Sequence, residues 1–134
     1  MTLELHATPG EVMRAVEALE AFGQARQIGG KILFGLTLAL EECGSNIVNH
    51  ALRRDEQQTF RVSMEHAGDV IIIELRDRGP EFDPTRAPAI MPELSEEDRP
   101  PGGWGIQLAR HYTDEVRYKR DAGENVLQLV KRLS

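Results

Sequence analysis

LALEECGSNIVNHA, Leu38 to Ala51, is the stretch on which the reading of this chain turns. Its apolar residues repeat with the period of an α-helix: Leu36, Leu40, Cys43, Ile47 and Ala51 fall on one stripe. Glu42, Asn46 and Asn49 fall roughly opposite, with His50 at the border. Glu42 and Asn46 are four positions apart, which makes their side chains stacked neighbours on one face. Glu41 is also acidic, but at roughly 100° per residue it leaves the helix on another face. A buried stripe backed by a carboxylate and an amide one turn apart is either an ordinary solvated helix face or half of a site. The residues that decide between these lie downstream, in DRGPEFDP (Asp77–Pro84) and GGWGIQLAR (Gly102–Arg110).

The rest of the chain arranges itself around this helix, expected from about Lys31 to Leu52. Before it, Thr2 to His6 alternates polar and apolar residues and reads as a short strand. Thr8 can cap a helix with Pro9 at its first position and Glu11 in its first turn. That helix is expected to run to about Gln27, burying Val12, Ala15, Val16, Leu19 and Phe22, and Gly29 and Gly30 break it. After the organising helix, Thr59 to His66 and Val70 to Arg76 read as two strands of a hairpin turning at Ala67, Gly68 and Asp69. From Asp77 to Gly103 periodicity disappears and Pro80, Pro84, Pro88, Pro92, Pro100 and Pro101 accumulate. A structureless segment of this length is usually functional or disordered. A short helix from about Trp104 to Tyr112 follows, then a closing hairpin of Glu115–Arg120 and Asn125–Arg132 around Ala122 and Gly123.

The order β-α-α-β-β-loop-α-β-β implies an α+β fold, a mostly antiparallel mixed sheet with helices packed on one face. The other face then needs cover, from solvent-tolerant side chains or from a second subunit, and a homodimer is left open. The whole, 1–134, reads as a single domain, with no repeats and no linker. At 134 residues it can bury about two thirds of its unfolded surface around one core.

Composition excludes several function classes. A hydrophobic content of 40% and charged content of 28% belong to an ordinary globular protein. The net charge of −6 argues against a general nucleic-acid or acidic-membrane binder. The single cysteine, Cys43, cannot form an internal disulfide, and no Cys/His cluster offers a zinc site. The start, MTLELHATPG, lacks the basic and apolar regions of a signal peptide, and no run approaches membrane-spanning length. The cytoplasm is the expected compartment.

Three boxes carry chemistry. Mg²⁺ takes hard oxygen ligands and keeps several waters beside phosphates, so one amide oxygen from Asn46 can serve as its single protein ligand. A carboxylate one turn earlier, Glu42, can take a proton from an attacking hydroxyl. Asp77, at the end of a strand, can accept hydrogen bonds from an exocyclic amine such as adenine's, and Gly79 removes the Cβ that would block a flat ring. Gly102, Gly103 and Gly105 lead straight into a helix whose first N–H groups and dipole suit phosphates.

ExxxN on a helix, DxGxxFDP after a strand and GGxGIxLAR before a helix resemble the N, G1 and G2 boxes of the GHKL ATPases. Within that superfamily the chain resembles the stand-alone anti-sigma-factor serine/threonine kinases, from the compact EECGSNIVNHA and the DRGPEFDP pair. The resemblance spans most of the chain. It implies a Bergerat-type ATP site with ATP and Mg²⁺ as cofactors, Glu42 as catalytic base, Asn46 on the metal and Asp77 on adenine. Gly79, Gly103 and Gly105 would shape the pocket, and Asn49, His50, Phe82, Gly102 and Trp104 would complete the nucleotide-binding set. Residues between Pro84 and Gly102 would form an ATP lid that opens and orders. Two departures stand out. Glu81 occupies a position where many relatives have a second glycine, and the lid is acidic, with Glu93, Glu96, Glu97 and Asp98 against Arg86 and Arg99. That acidity suits either a solvated loop or a docking surface for a basic partner.

No Walker A lysine and no HRD or DFG signature is present, which excludes P-loop and eukaryotic-type kinase mechanisms. A chain of this length has no room for the phosphoacceptor helices of sensor kinases or the transducer domain of topoisomerase and chaperone relatives. It is therefore expected to act on another protein. The resemblance implies a serine on a small STAS-type anti-sigma-factor antagonist as substrate, with a sigma factor sequestered in turn. The competing readings are a nucleotide-dependent binding or adaptor module with little catalysis, and a kinase directed at a larger signalling scaffold. Glu42 discriminates, because a pure binder needs Asn46 and Asp77 but no base.

Overall fold

The first strand, β1 (Thr2–His6), gives way at Thr8 to helix α1 (Pro9–Ala25), and the cap is made as the sequence implies. The Thr8 hydroxyl accepts from the Glu11 N–H at 3.3 Å, satisfying one of the donors that the first turn leaves without a helical partner. Val12, Ala15, Val16, Leu19 and Phe22 are all buried, so the inferred face is the real one. Helix α2 (Gly30–Asn46) begins at the glycine break. The computed structural model describes residues 1–86 and 103–134.

Beyond Asn46 the expected α-helix changes character. Ile47–Ala51 forms a π-helical turn, closed by Leu52 N–H donating to Ile47 O at 2.8 Å. The extra residue in that turn shifts the phase of everything after Asn46. Single π turns of this kind occur mostly inside or at the ends of α-helices near functional sites. The exit is tight: Arg53 and Arg54 both have positive φ, 51° and 58°, and the Arg54 N–H reaches back to Val48 O at 2.7 Å. Two consecutive non-glycine residues in the left-handed region cost of order 1–3 kcal/mol each, a strain the surrounding packing must offset.

The sheet has five strands in the order β1-β2-β3-β5-β4, where β2 is Thr59–Ala67, β3 Val70–Asp77, β4 Glu115–Asp121 and β5 Glu124–Arg132. Every pairing is antiparallel. Both hairpin turns follow from residues able to take positive φ. Gly68 has φ 61°, and Ala122–Gly123 have 50° and 80°, the pair of positive values that a type I′ turn requires. Helix α3 (Gly103–Tyr112) crosses from β3 to β4, so β5 pairs between them.

One face of the sheet and the helices enclose the core. Leu5, Phe60, Val62, Met64, Ile71, Ile73, Leu75 and Leu129 meet Leu19, Leu36, Leu40 and Val48, each at most 2% exposed. Side chains of this size contribute about 1.5–3 kcal/mol apiece on burial. The opposite face carries charged and polar pairs. Arg61 holds Glu124 at 2.7 and 2.8 Å, Gln128 donates to Glu74 at 2.9 Å, Arg76 reaches Glu74 and Asp121, and Arg117 pairs with Glu115 at 2.8 Å. On this face the charged pairs surround the apolar Ile72, Val126 and Val130. Among the described residues, no helix is long and apolar enough to cross a membrane.

Candidate functional site

The C-terminal end of β3 delivers Asp77 into the space between α2, the start of α3 and the β4–β5 hairpin. A cavity of about 260 Å³ opens there, walled by Ile47, Ile106 and Leu127 on its apolar sides, with Asp77 and Asn125 as its buried polar residues. The Asp77 side chain is almost wholly buried, its residue 5% exposed. Its Oδ1 accepts from the Gly79 N–H at 2.9 Å and from Asn125 Nδ2 at 3.1 Å. Its Oδ2 has no hydrogen-bond partner among the described residues. A buried carboxylate oxygen left without a donor costs free energy, which a donor brought by a ligand would recover. Burial pushes the Asp77 carboxyl above the usual carboxylate range, opposed by the hydrogen bonds from Asn125 and Gly79 and by the Arg120 charge.

Gly79 stands directly behind this carboxylate. A Cβ there would come within 2.9 Å of Ala51 Cβ, Ala51 O and Asp77 Oδ1, so only glycine lets the loop press against the π turn. The loop is then tied down by side chains from the hairpin. Arg120 Nη1 donates to Gly79 O at 2.9 Å, and Asn125 bridges Pro80 O at 2.9 Å and the Phe82 N–H at 3.1 Å. Glu81 lies inside this fastened stretch. Phe82 is 40% exposed and lines the cavity, an uncovered aromatic suited to a flat ring.

Of the residues singled out from sequence, Asn46, His50, Asp77, Phe82 and Gly105 line the cavity. Glu42 does not. It is half-buried on α2, one turn before Asn46, where its backbone carbonyl lies 3.4 Å from the position a Cβ on Gly105 would take. Asn49 also stands outside the cavity, because the π turn carries it to the surface, where its Oδ1 accepts from Arg54 Nε at 2.7 Å. The same turn swings Ala51 into the wall beneath Gly79. Gly103 opens α3. Gly102, the Trp104 side chain and the lid segment 87–102 lie outside the described residues. The lid's approach is described: Asp83 Oδ1 accepts from the Thr85 N–H at 2.9 Å, and Arg110 of α3 donates to Thr85 O at 2.7 Å.

Sequence reasoning passed over Asn125 and Tyr118. The signal for Asn125 was present, since it shares strand phase with the buried Leu127 and Leu129 and is the polar residue among core-facing positions. Cys43, on the cavity wall, is a structural thiol: burial, with the Glu42 charge second, pushes it up to about 12.

The arrangement fits a purine nucleotide. The unshared Asp77 oxygen can accept an exocyclic amine, the apolar walls of Ile47, Ile106 and Leu127 admit a flat ring, and the start of α3 presents backbone N–H groups for phosphates, while Gly79, expected to clear room for the ring, instead lets its loop pack against Ala51. Among the described residues no group of three His, Cys, Asp or Glu could cage a metal. An ion such as Mg²⁺, which keeps its waters and phosphate ligands, would take a protein oxygen such as that of the Asn46 amide.

The chain is 30% identical over 128 residues to the serine/threonine-protein kinase BtrW of Bordetella bronchiseptica, an alignment covering 96% of this chain and 90% of that one. Its fold matches the solved structure of the RsbU and RsbW domains of Rv1364c from Mycobacterium tuberculosis, with TM-score 0.70 and 20% identity over 99% of this chain and 32% of that longer one. It also matches the SiaB–SiaC complex from Pseudomonas aeruginosa, with TM-score 0.64 and 12% identity over 98% of this chain and 88% of the matched one. The model of the histidine kinase-like ATPase domain matches residues 5–131, nearly the whole chain. With that match and the likeness to BtrW over nearly its whole length, the chain belongs to the histidine kinase-like ATPase domain family, the GHKL ATPases.

Proposed function

We propose that this protein is an ATP-dependent serine-protein kinase and anti-sigma factor, which phosphorylates a STAS-type antagonist and sequesters a sigma factor. The observation that carries the nucleotide part is buried Asp77 on the cavity wall, its Oδ2 left without a donor among the described residues. Kinase chemistry rests on Glu42, set one helical turn before Asn46, and on the likeness to BtrW, whose name is that of a serine/threonine kinase.

In this reading Asp77 accepts the adenine amine and Asn46 supplies one oxygen to Mg²⁺. When bound, the metal neutralises phosphate charge. Glu42 takes the proton of the substrate serine as its Oγ bonds to the γ-phosphorus, while the bond from that phosphorus to the ADP oxygen breaks. General-base removal typically lowers rate by ~10²–10⁴. His50 serves as a wall of the site and is not phosphorylated.

The test uses γ-labelled ATP with the purified chain and a candidate STAS antagonist. Label on a serine of the antagonist, lost in Glu42→Gln, supports the proposal. Label held stably on His50 or His111 would mean histidine-kinase chemistry instead. Nucleotide-dependent capture of the antagonist without transfer of label would reduce the protein to an adaptor.

A further inference from the structure

Asn125 sits opposite Asp77 across the β3–β5 pairing, with its residue 7% exposed, and spends its whole amide on the site. Nδ2 donates to Asp77 Oδ1 at 3.1 Å and to Pro80 O at 2.9 Å, with a longer approach to Gly79 O at 3.5 Å. Oδ1 accepts from the Phe82 N–H at 3.1 Å and from the Tyr118 hydroxyl at 2.6 Å. The orientation of the amide is fixed by its partners: a backbone N–H can only donate and a carbonyl can only accept. Flipping it would break both loop contacts at once.

The consequence for Asp77 is a division of labour between its oxygens. Oδ1 is occupied by Gly79 and Asn125, which holds the carboxylate plane and leaves Oδ2 as the acceptor without a donor among the described residues, on a residue that lines the cavity. The amide that does this also fastens Pro80 and Phe82, two residues of the cavity wall, to the same carboxylate. We propose that Asn125 is the positioning residue of base recognition, aiming Asp77 at the exocyclic amine of a purine and tying the Gly79–Phe82 wall to it, with Tyr118 holding Asn125 in place. This rests on the nucleotide reading of the cavity.

The informative variant is Asn125→Asp, which keeps the shape but replaces two donors with an acceptor facing Asp77 and Pro80. Two carboxylates so placed cannot both ionise readily, and the pair takes up a proton as pH falls. The introduced carboxyl, once protonated, can donate to Asp77 Oδ1 as the amide did. Among the described residues, the charged and titratable groups around the pair are Arg120 and Tyr118 from β4, Glu124 from β5, Glu81 from the loop and His50 from the π turn.

ADP binding is measured by calorimetry between pH 5.5 and 8.5 for the wild type, Asn125→Asp and Tyr118→Phe, with thermal melts without ligand as the check of folding. The same series is run in a His50→Gln background, to remove the imidazole's own titration. Purine riboside diphosphate, which lacks the exocyclic amine, reports whether Asp77 is aimed. Asn125→Asp should bind ADP weaker than wild type on the order of 10- to 100-fold at pH 8 and lose its preference over the amine-free analogue. Both should recover as pH falls, whereas wild-type binding should weaken as Asp77 itself takes up a proton, a contrast that a merely structural role would not produce. Asn125→Asp matching wild type in affinity and pH profile would overturn the proposal. Should that variant fail to fold, Tyr118→Phe decides. A several-fold loss of the amine preference supports the positioning role, and an unchanged preference overturns it. Wild type that binds neither nucleotide would instead refute the nucleotide reading.

Discussion

Asp77→Asn separates what the carboxylate does for binding from what it does to the fold. Asparagine has nearly the same shape, and its Oδ1 can keep the hydrogen bonds from the Gly79 N–H at 2.9 Å and Asn125 Nδ2 at 3.1 Å. Only Oδ2 changes, from an anionic acceptor without a donor among the described residues to an NH₂ donor. A hydrogen bond to a charged group is worth about 1.5–3 kcal/mol, so ADP affinity should fall about 10- to 150-fold. The fold should respond in the opposite sense. Burial raises the Asp77 carboxyl above its unfolded value, so its contribution to stability is present at low pH. That contribution is lost as pH rises from the ordinary carboxylate value, about 3.9, through the raised folded one. Asp77→Asn removes this slope. Its melting temperature should equal or exceed that of wild type at pH 7, and the gap should close toward pH 4. Calorimetry with ADP at pH 7.5 and melts across pH 4–7.5 measure both. A variant that binds ADP within about threefold of wild type, or melts well below it at pH 7, would refute this dual role of Asp77.

Gly79→Ala puts a methyl 2.9 Å from Ala51 and from the Asp77 carboxylate, so it should lower stability by about 1–3 kcal/mol in denaturant titration and weaken ADP binding as well. Glu42→Gln should keep nucleotide affinity while phosphotransfer drops by ~10²–10⁴, and Glu41→Gln should leave both nearly unchanged; equal losses would mean the helix phase is misread. The buried thiol of Cys43, pushed up to about 12, should resist alkylation at pH 8 in the native protein and react on unfolding, so rapid native labelling would contradict its burial.

Much of this protein was legible along the chain because local periodicity and capping are local physics. The Thr8 cap, the buried face of α1, the glycine break before α2 and the Ala122–Gly123 turn each follow from a few neighbouring residues, and each occurs where the pattern puts it. So do the strands around Asp77, whose phase buries Ile71, Ile73 and Leu75 together with the carboxylate. Tertiary structure decided the rest. The π turn at Ile47–Ala51 leaves no mark on a helical stripe, since one residue more or less per turn is settled by packing, and it moved Asn49 out of the cavity and Ala51 into it. What lies on the open sheet face depended on cross-strand ion pairs such as Arg61–Glu124, residues 63 apart in the chain. The partner of Asp77 is 48 residues away on β5, and it meets Asp77 only because β5 pairs between β3 and β4. A hydrogen bond across strands depends on register and sheet order, which many distant contacts settle jointly and no short stretch of sequence encodes.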